Sequence, residues 1–139
     1  MMKNLFILVA ILFFVSLAGG ANAQTNQKVS VSKEIKVNLG KTVAVKGEGL
    51  KLQFVSVTND SRCPEGETCI WEGDAEILIK VSKAKKAASS IKLHSNATSD
   101  QSRDYGQYTI KLIALEPKPK KGVVNKARSY IATLLVTKK

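Results

Sequence analysis

The side chains best suited to carry out chemistry lie between residues 59 and 74. This segment holds both cysteines, Cys63 and Cys69, and the only tryptophan, Trp71. A cysteine pair can form a disulfide, bind a metal or carry out redox chemistry. The C-x5-C spacing differs from the C-x-x-C of redox sites, and a zinc site would need partners beyond the one histidine, His94. Two cysteines in an exported chain most simply form one disulfide. We therefore expect a bridge between Cys63 and Cys69.

The same segment is acidic, although the protein is basic overall. Five of the eleven acidic residues lie within fifteen positions, namely Asp60, Glu65, Glu67, Glu72 and Asp74. Carboxylates and loop carbonyls can bind Ca²⁺, but the spacing matches no EF-hand, and Arg62 would repel a cation. We expect no metal and favour a structural turn, in which Asp60 accepts backbone hydrogen bonds or pairs with Arg62.

The remaining residues of the segment suit either structure or recognition. Pro64 and Gly66 supply a turn inside the ring, and Gly73 permits a bulge or a sharp entry into the next strand. Trp71 can cover the disulfide, seal the end of the core, or stand exposed and contact a partner. The sequence thus predicts a structural or recognition loop of Asp60, Arg62, Pro64, Trp71 and Gly73.

Catalytic signals are weak. The chain has no G-x-S-x-G, no H-E-x-x-H and no glycine-rich phosphate loop,. His94 is placed at a strand end, where we expect it to be solvated. The carboxylates of Asp100 and Asp104 could form a pair, but Arg103 lies beside them in a predicted loop. We expect no catalytic residues, no cofactor and no enzyme activity.

The motif Asp60-Ser61-Arg62-Cys63-Pro64, four residues, then Cys69-Ile70-Trp71-Glu72-Gly73 resembles a group of small, uncharacterised bacterial exported proteins and lipoproteins. That group carries D-S-R-C-P-x4-C-x-W-x-G between two β-strands, followed by two later tyrosine-containing strands. Here Tyr108 to Pro117 and Tyr130 to Val136 fit that outline. This chain departs from the group in having Glu72 where alanine is common, and in lacking a lipobox. The resemblance implies an exported β domain and no particular activity.

The elements that must hold this segment are β-strands, because apolar and polar residues alternate along most of the chain. In the strand from Leu50 the alternation slips by one residue at Val55, as a β-bulge would cause. Polar connections are expected at Lys83–Ser89, Ser95–Gln107 and Pro117–Lys126. The predicted strands are Val29–Leu39, Thr42–Lys46, Leu50–Thr58, Asp74–Ser82, Ser90–His94, Tyr108–Leu115 and Ser129–Thr137.

Residues 1–23 have the three parts of a secretory signal peptide. Lys3 is followed by an apolar run from Leu5 to Ala18, and Ala21-Asn22-Ala23 matches the small-x-small cleavage pattern. The apolar run is shorter than the 20 or so residues of a membrane-spanning helix. We therefore expect export to the periplasm or medium, with residues 24–139 forming one all-β domain of about seven strands, either a sandwich or a partly open barrel.

The net charge of +11 becomes +10 without the signal peptide, since Lys3 is the only charged residue there. Such a surface attracts anionic neighbours, such as an envelope component, and the lysines of 83–86 and 118–121 are the expected contacts. We expect no nucleic-acid partner and no transmembrane segment after cleavage. The predicted function is an exported envelope or extracellular binding or structural module. An inhibitor of an extracellular enzyme that presents the Cys63–Cys69 loop, and a small hydrolase, are the alternatives.

Overall fold

The computed structural model describes residues 32–124 and 129–139. The predicted signal peptide and the first three residues of the first predicted strand, 29–31, lie outside them. The described residues form eight strands in two antiparallel four-stranded sheets, which are not closed into a barrel. The fold is therefore all-β and sandwich-like, as the alternation predicted. The strands are β1 (Ser32–Asn38), β2 (Thr42–Val45), β3 (Leu50–Asp60), β4 (Ala75–Lys83), β5 (Lys86–His94), β6 (Ser102–Tyr105), β7 (Tyr108–Glu116) and β8 (Ile131–Lys138).

The order of strands is β1-β8-β7-β6 in one sheet and β2-β3-β4-β5 in the other. The central strands β3, β4, β7 and β8 supply most of the buried side chains, because their alternate residues face the opposite sheet,. The largest fully buried members include Phe54, Ile77, Ile79, Ile110 and Leu134. Within the described residues, no helix is long and apolar enough to cross a membrane.

The bulge predicted in β3 is confirmed. The register with β4 shifts between Phe54 and Ser56, so that Val55 is the extra residue, and its side chain is 40% exposed. A second shift follows between Val57 and Asn59. Together they carry β3 on to Asp60, two residues beyond its predicted end, and bring Asp60 to the base of the disulfide segment.

Two of the three predicted connections are wrong. Residues 86–89 belong to the edge strand β5, where their small and polar side chains are exposed, and the connection is only the turn at Ala84 and Lys85. The segment Ser95–Gln107 contains a further edge strand, β6, which pairs with β7 across the turn at Gly106 and Gln107. Edge strands need few apolar residues, because their outer sides are solvated, so hydrophobic alternation does not reveal them.

The two ends of the sandwich differ in character. One, which we call the hairpin end, has the tight turns at 46–49, 84–85 and 106–107 together with the end of β8. The other, the loop end, has the long connections at 61–74, 95–101 and 117–124. As predicted, the described part of the third connection joins neither sheet, although Lys120 forms isolated bridges with Glu65 and Val123.

Candidate recognition loop

Residues 61–74 connect β3 to β4 at the loop end and form what we call the recognition loop. Inside it Cys63 and Cys69 are joined by a disulfide, with their Cα atoms 5.9 Å apart. This confirms the pairing expected from the sequence. Within the ring the amide of Glu67 donates to the carbonyl of Pro64 over 3.2 Å, and Gly66 has a φ of +80°. The predicted turn at Pro64 and Gly66 is therefore also confirmed.

The base of the recognition loop continues the β3–β4 ladder. The amide of Ser61 donates to the carbonyl of Asp74 over 2.7 Å, and the amide of Cys63 donates to the carbonyl of Glu72 over 2.8 Å. Gly73 lies where the two arms touch. Its φ is +72°, and a Cβ atom built there would lie 1.9 Å from the carbonyl oxygen of Ser61. Only glycine fits this position, which gives the predicted sharp strand entry a steric cause.

Asp60 and Arg62 form the first anchor of the loop. The guanidinium makes two hydrogen bonds to the Asp60 carboxylate, of 2.7 and 2.8 Å, and both side chains are mostly buried. Arg62 also donates to the carbonyls of Leu115, over 2.5 Å, and Pro117, over 2.9 Å, at the end of β7. The hydroxyl of Tyr130 donates to Asp60 over 2.8 Å. The predicted Asp60–Arg62 pair is confirmed, and it links the two sheets.

The environment of Asp60 favours its ionised form. Burial opposes ionisation, but the hydrogen bonds from Arg62 and Tyr130 and the charge of Arg62 outweigh it, and they lower the pKa of Asp60 below its ordinary value of 3.8,. The carboxylate is thus bound as a structural anion at neutral pH, with its oxygens directed at protein donors.

Asp74 forms a second anchor, which the sequence analysis missed. One carboxylate oxygen accepts from the amides of Ser95 and Asn96, over 3.1 and 3.0 Å, and the other lies 2.6 Å from Nδ1 of His94. The buried side chain of Asn96 donates to the carbonyl of Gly73 over 2.9 Å. This anchor ties the end of the recognition loop to the connection after β5. A short D/N-rich turn such as Ser95-Asn96 is a sequence signal for such capping.

His94 is at the end of β5, as predicted, but the expectation of a solvated imidazole is wrong. Its side chain is only 23% exposed, and Nε2 lies 3.5 Å from Glu76. Burial opposes ionisation of Asp74, yet the hydrogen bonds with His94 and Asn96 outweigh it and lower the pKa of Asp74. Both ring nitrogens therefore face carboxylates, and the imidazole joins β4, β5 and the loop.

The tip of the recognition loop is exposed and apolar. The side chain of Trp71 is 63% exposed, and Ile70 is fully exposed. Trp71 therefore does not seal the end of the core, and the loop base is instead closed by Gly73 and the Asp60–Arg62 pair. The exposed indole favours the interpretation in which Trp71 contacts a partner.

The five carboxylates of the segment do not converge. Asp60 pairs with Arg62, Asp74 with His94, and Glu67 with Lys121 over 2.8 Å. Across residues 32–124 and 129–139, no three histidine, cysteine or acidic side chains are arranged to hold a metal ion. Three of the five carboxylates of the segment thus have separate basic partners.

Asp100 and Asp104, the two carboxylates considered as a pair, also have separate partners. Asp100 pairs with Arg103, three residues along the chain, whereas Asp104 pairs with Lys139 at the hairpin end. The two carboxylates serve different ion pairs, so they do not form an acid–base pair.

A shallow groove runs beside the recognition loop. It has a volume of about 460 Å³ and lies between the loop and the second half of β7. Its lining includes Arg62, Gly73, Asn96 and the half-exposed Ile113. The lining of this groove combines apolar and charged side chains.

Comparison with known proteins does not identify this fold or its site. No family model matches the chain, and neither a characterised protein nor a solved structure resembles it significantly.

Proposed function

We propose that the protein is an exported binding module that recognises another protein through the tip of the recognition loop. The observation that carries the proposal is the exposure of Ile70 and Trp71, 108% and 63% respectively, on a loop whose base is fixed. The sandwich serves as the scaffold for this loop.

Exposure of large apolar side chains to water at the loop tip is unfavourable unless a partner covers them. Single exposed apolar residues are common, but here the two largest apolar side chains of the segment are adjacent and directed away from the core. Tryptophan is enriched among residues that dominate binding energy. The disulfide and the two anchors order the loop before any partner arrives, which lowers the entropy cost of binding. These features support a protein-binding role.

Inhibition of an extracellular enzyme is a narrower form of the same proposal. A rigid, disulfide-closed loop with an exposed bulky residue can occupy an enzyme's cleft without being reordered. Titration against a panel of secreted proteases and glycosidases tests this version, since stoichiometric inhibition that Trp71→Ala abolishes would identify the enzyme class.

Export is part of the proposal, and the disulfide supports it because such bonds persist in oxidising compartments. The resemblance to exported bacterial proteins supports the same placement. N-terminal sequencing of the protein recovered from the culture or periplasm should begin at residue 24. A retained apolar leader would contradict this part of the proposal.

The recognition role is tested by capture and by direct affinity measurement. The purified protein is used to capture partners from envelope extract, and each captured protein is then titrated against the wild-type protein and two variants. Trp71→Ala should weaken binding by at least about 30-fold, as truncation of a hot-spot residue does. Val55→Ser is the control, because Val55 is also exposed but lies in the middle of β3. Equal affinities for both variants would overturn the proposal.

A further inference from the structure

The described charges are divided unequally between the two ends of the sandwich. At the hairpin end, stretches 32–34, 45–51, 82–87, 104–108 and 136–139 hold eight lysines and three acidic residues. At the loop end, stretches 38–42, 58–76, 93–101, 115–124 and 129–131 hold five lysines and arginines and eight acidic residues. Among the described residues, the hairpin end is therefore strongly basic and the loop end carries more acidic than basic side chains.

Two lysines at the hairpin end are held in place beside a recess. Lys83 donates to the hydroxyl of Tyr108 over 2.9 Å, and the ammonium of Lys86 lies 4.7 Å from the centre of the Tyr105 ring. Both line a recess of about 380 Å³. Among the described residues, neither ammonium forms an ion pair with a carboxylate.

Glu48, which contacts Tyr108 in the lining of this recess, is already compensated. The carboxylate of Glu48 accepts from the hydroxyl of Tyr108 over 2.8 Å and from Lys138 over 3.0 Å. Its charge is thus offset by Lys138. Lys83 and Lys86 keep their positive charge directed at the recess and at solvent, in positions that need little reordering to bind an anion.

The lysines of residues 118–121 lie in a different electrostatic environment. These residues pack beside the recognition loop, where the amide of Glu65 donates to the carbonyl of Pro119 and Lys121 pairs with Glu67. The acidic residues of the loop offset this run. The fold thereby separates two segments that the sequence presents as equivalent, and only the hairpin end remains strongly basic.

We propose that the hairpin end docks the protein on an anionic lipid surface, with a headgroup phosphate in the recess between Lys83 and Lys86. Lysines near such a surface attract it over about a Debye length. This inference is independent of the recognition loop. It places that loop at the far end of the molecule, directed away from the membrane.

The chemistry of the hairpin end favours a lipid surface over a single-stranded nucleic acid. Single strands are bound by stacking of their bases on exposed aromatic rings, whereas Tyr105 and Tyr108 are only 6% and 2% exposed. Of the described large apolar residues that are exposed, none lies in the hairpin-end stretches. Three short turns and the end of β8 form a broad basic face, which suits electrostatic adsorption to a flat surface.

The test is co-sedimentation of the protein, purified after export, with vesicles of phosphatidylglycerol and phosphatidylcholine. We expect binding to vesicles rich in phosphatidylglycerol at low salt, loss of binding at 0.5 M salt because exposed charges are then screened at about 4 Å, and no binding to pure phosphatidylcholine. Absence of binding to the anionic vesicles at low salt would overturn the proposal.

Matched variants locate the contact. Lys83→Gln with Lys86→Gln should lower vesicle affinity about 25-fold, at roughly fivefold for each lysine. Lys36→Gln with Lys80→Gln removes the same charge from exposed strand positions and should change the affinity less than threefold. Equal losses in the two pairs would show a net-charge effect only and would overturn the proposed site.

Two further experiments test the proposal. If the variant with Lys83→Gln and Lys86→Gln unfolds, Lys46→Gln with Lys85→Asn removes two other charges at the hairpin end and should also weaken vesicle binding. Asparagine tolerates the φ of +61° at position 85,. Inorganic phosphate at constant ionic strength should not displace the vesicles. Displacement by low millimolar phosphate, or tighter binding to heparin than to vesicles, would overturn the lipid surface as the occupant.

Discussion

Gly73 is the residue whose replacement should most directly disturb the recognition loop. A Cβ atom at this position would lie 1.9 Å from the carbonyl oxygen of Ser61, and the φ of +72° is strained for other residues,. Because both the overlap and the backbone strain must be relieved, Gly73→Ala should lower the free energy of unfolding by about 3 kcal/mol. Urea unfolding followed by far-ultraviolet circular dichroism measures this loss.

Gly66→Ala is the control for this prediction. Gly66 has a similar φ of +80°, but nothing lies within 4 Å of a Cβ atom built on it. Only the backbone strain then applies, so the loss should be about 1 kcal/mol. Equal losses at the two glycines would show that the contact with Ser61 does not constrain Gly73.

Trp71 should contribute little to folding, because its side chain is 63% exposed. Trp71→Ala should lower the free energy of unfolding by less than about 1 kcal/mol, whereas truncation of a buried aromatic residue costs about 3–5 kcal/mol. Phe54→Ala, at a fully buried position, serves as the comparison in the same urea titration. A loss at Trp71 as large as that at Phe54 would place the indole in the core and contradict its proposed role.

The contacts of the site fall into two groups, according to how far apart the two partners lie along the chain. The disulfide, the Asp60–Arg62 pair and the sharp strand entry at Gly73 involve residues close together in the chain, and they could be predicted. The bonds from Arg62 to Leu115 and Pro117 join residues more than fifty positions apart. No local sequence pattern predicts such contacts, because they depend on how the two sheets pack.

Among the elements, the ring of the recognition loop gives the most direct prediction. Closing a loop of seven residues stabilises the fold by about 2.4 kcal/mol through lost disorder of the unfolded chain. Replacing Cys63 and Cys69 together by alanine should therefore cost about that free energy and leave the strand content unchanged. Thermal unfolding measured with circular dichroism gives both values.

The disulfide prediction has an internal control. Reductant should destabilise the wild-type protein by a similar amount and leave the double alanine variant unaffected. The unreduced wild-type protein should be two hydrogens lighter than the reduced form by mass spectrometry. Free thiols on both cysteines of exported protein, or an effect of reductant on the variant, would contradict the assignment.

The strands show where periodicity serves as a guide and where it does not. Central strands β3, β4, β7 and β8 bury alternate side chains, so their positions were predicted to within two residues. β6 buries only Tyr105, and its polar residues resemble a loop. The available signal was the glycine of Tyr105-Gly106-Gln107-Tyr108, since glycine at the first position of a two-residue turn is typical of hairpins.

At the scale of the whole molecule, the two sheets are joined by polar contacts as well as by the apolar core. Asp60, at the end of β3, and Arg62 reach the carbonyls at the end of β7 and the hydroxyl of Tyr130 before β8. Asp74 joins the start of β4 to the end of β5. The loop end is therefore held by two buried carboxylates, and its stability should depend on their charge.

Acid should weaken the loop end in a defined range of pH. The folded-state pKa of Asp60 and of Asp74 is lowered, so their contribution is complete above the unfolded-state pKa, near 3.9, and is lost as the pH falls through the folded values. The free energy of unfolding should fall below pH 4 as these two carboxylates are protonated. Urea titrations by circular dichroism from pH 7 to 2.5 test this dependence.

Asp60→Asn assigns the acid sensitivity to one carboxylate. The variant should be less stable at pH 7, because Arg62 loses its anionic partner while remaining mostly buried,. Its stability should then fall less steeply below pH 4, since one proton-linked group is gone, and Asp74→Asn in addition should flatten the curve further. Asp100→Asn is the control, because that carboxylate is mostly exposed and surface ion pairs contribute little. A fall as steep in Asp60→Asn as in the wild-type protein would show that Asp60 is not responsible for the acid sensitivity.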